Sequence, residues 1–265
     1  MDKKRLNLDV LIKILVLIGF STFFLYLILS QNVSLYVHPR NTPYLLFAGV
    51  AMFAIAIFLL LELFSQKDSK SSLPLLFFLV PLILAFFVPA QPFDTQSGGY
   101  TALSLTTRAN NTNQTFSFGN NNSPSTEPSE EDLENLNRSY LLELEDGKIS
   151  MNDTNFARWL MEIYSNLDSY ENTPIELTGF IYIDDTLSLD EFVLSRMMMV
   201  CCVADLEMIG LLAKYGDIKT LEPDSWVSIT GTLYKTKHDD SYIPKVNVEQ
   251  INPVVPPRNQ YVYPF

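Results

Sequence analysis
Three long apolar runs occupy the first third of the chain, and they restrict its possible folds more than any other feature. They extend from about Val10 to Leu29, Tyr44 to Leu61 and Leu73 to Val88. At roughly 16–20 residues each, they approach the length needed to cross a ~30 Å hydrocarbon layer as a helix. A segment in hydrocarbon must satisfy its own backbone N–H and C=O groups, so only helices and closed barrels can cross. The runs lack the alternation of barrel strands, which predicts three transmembrane helices within residues 1–90. Lys13 and Glu62 stand near helix ends, where their charged tips can reach the interface. A cleaved signal peptide would carry a shorter apolar core and a small-residue cleavage site. Here the core is long and runs into Leu27-Ile28-Leu29-Ser30-Gln31, without such a site.

Basic residues set the expected orientation. Lys3, Lys4 and Arg5 precede the first helix, Lys67 and Lys70 lie between the second and third, and Arg40 alone lies between the first and second. This pattern places the N-terminus and the loop around Lys67 in the cytoplasm. Three crossings then put everything after about Pro89 outside, in a multi-pass protein of the cell membrane whose first partner is the lipid bilayer.

From Gln91 to about Asn137 the composition shifts to Asn, Ser, Thr, Gly and Pro. Such a stretch buries too little apolar surface to offset its ordering entropy, and a disordered linker is expected. Its Asn-x-Ser/Thr triplets are expected by chance in an Asn-rich tract. The remainder, 138–265, has the size of one small domain and holds 20 Asp and Glu against 10 Lys and Arg. An acidic surface repels nucleic-acid phosphates and anionic headgroups, so nucleic-acid binding is disfavoured and no nucleic-acid partner is expected. It attracts cations, and it also keeps an extracytoplasmic domain soluble.

Within this domain Phe156–Tyr164 has a helical stripe of Phe156, Leu160 and Ile163, extended by Leu167, with Asn152 or Asp153 available as a cap. Ile175–Asp184 and Val227–Leu233 alternate as half-buried strands, each with a Thr-Gly pair, at Gly179 and Gly231. Glycine inside a strand marks a bulge or sharp coil. Glu191–Val200 and Met208–Lys214 are expected to be strands, although Ser188 and Glu191 also fit a helix capping box. A last strand, about Pro244 to Ile251, follows a polar turn around His238. The fold expected is a small mainly-β (α+β) domain, an OB-like five-stranded barrel with a preceding helix.

Chemistry is concentrated in Arg196-Met-Met-Met-Val-Cys201-Cys202-Val-Ala-Asp205. In a strand, adjacent side chains point to opposite faces, but in a turn beginning near Val200 they converge. Two thiolates and a carboxylate suit zinc or another thiophilic metal such as copper(I), or a redox pair, or a thiophilic solute. Against this, a closed tetrahedral site needs a fourth ligand, and the chain has two histidines, His38 and His238. His238 reaches the site only if the last hairpin folds over it. Adjacent cysteines bridge poorly, and free cysteine is also a common buried filler. Met197, Met198 and Met199 fit either soft ligation or packing. His38-Pro39-Arg40 suits a reversal between helices, or a contact with a partner membrane protein. There is no Gly-x-Ser-x-Gly, phosphate loop or His-Glu-x-x-His, so nothing supports an enzyme such as a hydrolase or ATPase.

Leu35–Arg40, Gly179-Phe180, Arg196 with Cys201-Cys202-Val203-Ala204-Asp205, Trp226-Val227 leading to Gly231, and Tyr261-Val262-Tyr263 together resemble the YcgQ-like family. Its members are described as subunits of a two-component membrane permease complex in Gram-positive and related bacteria. The resemblance implies a polytopic permease subunit as partner and places interest on Arg196, Cys201, Cys202 and Asp205. Three helices are also too few to enclose a transport path, so an accessory role is expected, with a tethered outer domain that captures a solute or gates the partner. The alternatives are a membrane-anchored metal-binding or thiol redox/stress sensor, and a structural envelope interaction module.

Overall fold
A computed structural model describes residues 8–62, 77–87, 142–184, 187–238 and 241–264. It divides into two compact units. One contains residues 1–93 together with Cys201–Asp205, and the other contains 94–200 with 206–265.

In the first unit α1 (Leu8–Leu29) and α2 (Thr42–Glu62) are antiparallel neighbours joined by two short 3-10 turns. At 22 and 21 residues they extend about 33 and 32 Å, and both are long and apolar enough to cross a membrane. Small residues set their approach: the buried Ser21 hydroxyl donates to the Gly49 carbonyl at 2.8 Å. Leu15, Tyr44, Phe47, Phe58 and Leu61 lie outward, as lipid contact requires. Of the third apolar run, Leu79–Phe87 forms α3, nine residues or about 13 Å, packed on α1 where Gly19 meets Leu82. Phe77 and Phe78 precede it in 3-10 conformation, and residues 73–76 and 88 of that run lie outside the described residues, as do Lys3, Lys67, Lys70 and the 91–137 linker.

The second unit is mainly β, with one α-helix among its described residues, α4 (Phe156–Ser165). Its strands are β1 (Ile149–Met151), β2 (Pro174–Tyr182), β3 (Glu191–Met198), β4 (Glu207–Lys214), β5 (Trp226–His238), β6 (Ser241–Pro253) and β7 (Tyr261–Val262). The order is β1-β2-β5-β6-β4-β3-β7, with β2 also pairing β3. The pairings of β2, β5, β6, β4 and β3 therefore run in a cycle, antiparallel except for the parallel β4–β6 pair. All five strands expected from the sequence are present, and short β1 and β7 add parallel edges.

One core joins the helix stripe Phe156, Leu160 and Ile163, plus Trp159, to Ile175, Leu177, Leu211 and Ile229 from the strands, with Leu167 packed at its margin. The two strand glycines differ in role. Gly231 sits at a register shift between β5 and β6, a bulge as expected. Gly179 lies in regular register, and a Cβ there would fall 2.5 Å from the Ser195 carbonyl oxygen, so close backbone approach is what requires glycine.

One local expectation needs correction, and the strand expected over Glu191–Val200 holds against its helical alternative. Asp153 does not cap α4. The Asn152 side chain accepts N–H bonds from Thr154 and Asn155 at 2.9 and 3.3 Å and closes the turn before the helix. The Ser188–Glu191 hydrogen bond does form, at 3.3 Å, but it opens a strand, because the following residues pair in an antiparallel ladder with β4.

Candidate functional site
Met197, Met198 and Met199 are buried, which makes them packing residues, and the chain emerges at the half-exposed Val200. Cys201 and Cys202 follow, and Val203–Asp205 form a single 3-10 turn. Asp205 builds this turn. Its Oδ2 accepts the backbone N–H of Cys201 at 2.7 Å and of Cys202 at 3.3 Å, while its own N–H donates to the Cys202 carbonyl at 3.0 Å. The reversal brings the two thiols to the same side, with Sγ atoms 3.7 Å apart. That is far beyond the ~2.05 Å of a disulfide, and both cysteines are free. The donor atoms of Cys201, Cys202 and Asp205 all lie within 4.8 Å of one another. Cys201 is exposed and Cys202 and Asp205 are half-buried, so the cluster is open to solutes.

The same turn is fastened to the α1–α2 connection. Val37 and Cys202 form an antiparallel bridge: His38 N–H donates to the Cys201 carbonyl at 3.0 Å, and Val203 N–H donates to the Tyr36 carbonyl at 2.8 Å. The Asn41 amide adds a 3.3 Å bond to the Cys201 carbonyl. His38 is buried, and its Nδ1 accepts the Arg40 N–H at 3.0 Å, capping the turn Pro39–Asn41 that leads into α2. Proline at the first position of that turn suits it, since that N–H has no helical partner. His38 and Arg40 thus belong to the connection that holds the cysteine turn.

Electrostatics separate the possible chemistries. The Cys201 thiol is hydrogen-bonded to the Asp205 carboxylate and to Cys202, which, with some burial and the nearby negative charge, pushes its pKa up to about 12. The neighbouring carboxylate thus disfavours the thiolate of Cys201. A redox nucleophile requires the opposite shift.

Arg196 has a different setting. It is wholly buried on β3, its Nη1 2.8 Å from Asp153 Oδ1 and 3.3 Å from the Thr178 carbonyl, while its Nε and Nη2 are buried without a hydrogen-bond partner. The guanidinium carbon lies 4.9 Å from the Trp226 ring centroid and 5.8 Å from that of Phe156. Burial draws its pKa down, and Asp153 opposes that. Its charge is answered by Asp153 within the β unit. His238 closes β5 opposite Ser241, at the end of the β5–β6 hairpin.

The sequence reading missed Tyr36, Val37 and Asn41 as holders of the cysteine turn, and Asp153 as the partner of Arg196. The contacts to the turn use mainly backbone groups, which leave no residue-type signature, and Asp153 lies 43 positions from its partner.

Two helices of membrane-crossing character followed by a mainly-β unit define the class of architecture. Family comparison then gives the particular family. The DUF1980 N-terminal domain matches residues 12–100 and the DUF1980 C-terminal domain matches 125–264, and the chain belongs to this family. It is similar over nearly its whole length to UPF0703 protein YcgQ of Bacillus subtilis, at 23% identity over 95% of this chain and 98% of that protein. It is likewise similar to a Streptococcus mutans protein named "Putative two-component membrane permease complex subunit", at 24% identity over 96% of this chain and 99% of that one. The expected YcgQ-like family is thereby established.

Proposed function
We propose that this protein is an accessory, non-enzymatic subunit of a two-component membrane permease complex, and that Cys201, Cys202 and Asp205 form an extracytoplasmic site that captures a thiophilic solute for a polytopic partner. The name of the Streptococcus mutans relative supports the complex. The convergence of three donor atoms within 4.8 Å supports the site. In this reading the 138–265 domain is an OB-like barrel tethered by the 91–137 linker. The cycle of strand pairings and its parallel β4–β6 pair support the barrel.

The observation that carries the topology is the Val37–Cys202 bridge. With Lys3, Lys4 and Arg5 cytoplasmic, the α1–α2 connection lies outside. A segment paired with that connection must be on the same side. Helix α2 returns the chain to the cytoplasm, so reaching Cys202 requires one further crossing, which the run 73–88 supplies. This supports three passages from polarity and pairing together. A redox-sensing role is the weaker alternative, because the Asp205 carboxylate packed against both cysteines disfavours a thiolate nucleophile.

The test uses the full chain in its native membrane. A membrane-impermeant thiol reagent should label Cys201 in intact cells, with detergent-opened cells as control. The Cys201→Ser/Cys202→Ser double variant should lose the transport phenotype while the polytopic partner still co-purifies. Labelling only after detergent, or full transport by the double variant, overturns the proposal.

A further inference from the structure
The Sγ–Sγ separation fits two sulfurs on one bent soft-metal centre and does not fit a linear one. Two thiolates at tetrahedral angles on a metal with bonds of ~2.3 Å have their sulfurs about 3.8 Å apart, whereas two collinear bonds of that length would separate them by about 4.6 Å. The observed 3.7 Å matches the tetrahedral edge. The turn already holds this spacing, because Asp205 Oδ2 binds the N–H groups of both cysteines and the Val37–Cys202 bridge fixes the peptide between them. Hard cations such as calcium and magnesium are excluded by the donor set, since they require a shell of oxygen ligands. Among the described residues the converging group comprises Cys201, Cys202 and Asp205. Structural zinc sites close with four protein ligands, whereas sites with three keep a position open to exchange.

Building on the capture reading above, we infer that the turn binds a divalent cation of the zinc class in an open tetrahedral site. Cys201 Sγ, Cys202 Sγ and a carboxylate oxygen of Asp205 are three ligands, and the fourth is water or a donor from the polytopic partner. Binding is balanced as one M2+ plus two thiols and one carboxylate, giving an M(SR)2(OOCR) centre of net charge −1 and two released protons. The exposed, three-ligand character suits a cation that is received and passed on. A closed structural centre would hold it against exchange.

The test is cobalt(II) titration of the full-length, chelator-stripped protein in detergent, followed by zinc competition. One equivalent should produce intense tetrahedral visible bands and a thiolate-to-cobalt charge-transfer band, both abolished by one equivalent of zinc. Cys201→Ser and Cys202→Ser should each lose about half the charge-transfer intensity, since each removes one of two thiolates. Asp205→Asn should keep both thiolates and bind at least tenfold more weakly. Only weak octahedral cobalt bands, or retention of copper(I) with no cobalt or zinc bound, overturns the inference. If zinc-class cations do not bind but the double serine variant loses transport, capture stands and the cation assignment falls. If they bind stoichiometrically and that variant transports normally, the cation site stands and the capture reading falls.

Discussion

Val37 and Cys202, 165 positions apart in the chain, face each other as an antiparallel bridge pair. The flanking hydrogen bonds, His38 N–H to Cys201 carbonyl at 3.0 Å and Val203 N–H to Tyr36 carbonyl at 2.8 Å, bind the cysteine turn to the connection between two apolar helices. The cysteine turn and that connection therefore share backbone hydrogen bonds.

Val203→Pro removes one of the two flanking donors without disturbing the 3-10 turn, because Val203 is its first residue. A single hydrogen bond contributes about 1 kcal/mol, so opening of the turn should rise about fivefold. The readout is the alkylation rate of the half-buried Cys202 in a Cys201→Ser background. An unchanged rate would mean the bridge does not hold the turn.

His38→Ala deletes the side-chain acceptor for Arg40 N–H and should destabilise the start of α2 by ~1 kcal/mol, while His38→Asn, a good capping residue, should recover most of it. Thermal unfolding of the detergent-solubilised protein compares the two. Equal losses would show that the imidazole matters for something other than capping.

Arg196 and Asp153 should respond asymmetrically. Asp153→Asn leaves a buried guanidinium without its counter-charge and should cost about 2 kcal/mol, a value reduced because Asp153 is half exposed. Arg196→Met fills the same volume and removes two buried nitrogens that lack hydrogen-bond partners, so it should cost less than 1 kcal/mol or stabilise. Denaturant unfolding decides the order. A larger loss for Arg196→Met would mean that stacking on Trp226 outweighs the desolvation of the cation.

The Glu191–Lys245 ion pair predicts acid sensitivity. Burial works to raise the Glu191 pKa, but the Lys245 hydrogen bond and charge, with the Ser188 N–H, outweigh it and hold the carboxyl below its ordinary 4.5. A folded pKa below the unfolded one means the unfolded chain binds more protons. The pair's stabilisation is therefore present above about pH 4.5 and lost as pH falls through the lower folded value. Glu191→Gln should lower stability at neutral pH by roughly 2 kcal/mol and flatten this acid dependence. Parallel wild-type and variant curves of stability against pH would remove the assignment.

Gly179→Ala should cost about 1–3 kcal/mol, because its Cβ would meet the Ser195 carbonyl oxygen at 2.5 Å and only backbone movement relieves that. Gly216→Ala is the control, with nothing within 4 Å of its Cβ and an expected change within about 0.5 kcal/mol. Urea midpoints of both variants measure the difference.

Much of the local architecture was legible from residue pattern. The runs around Ile14 and Phe53 are too apolar and too long for surface helices. The stripe Phe156, Leu160 and Ile163 and the alternation in Ile175–Ile183 match α4 and β2. The Cys-Cys-x-Ala-Asp segment stood out because few other residues carry comparable chemistry. Its holders did not stand out: Tyr36, Val37 and Val203 contribute backbone groups, which every residue possesses.

Asp153 illustrates the same boundary. Its type and position suit a helix cap, and local sequence favours that reading. A salt bridge to Arg196 replaces it, because the core leaves a buried guanidinium whose desolvation is costly without a carboxylate. The chain by itself determined what can be settled by hydrophobic periodicity, charge and composition over a few neighbouring residues: helices of membrane-crossing length, the strands, and which residues carry soft donors. Only the tertiary structure decided that the cysteine turn lies against the α1–α2 connection, that both thiols and one carboxylate share one side, and that Arg196 answers to Asp153. Those outcomes depend on backbone hydrogen bonds and burial between distant segments, and such forces act on position in space rather than on residue type.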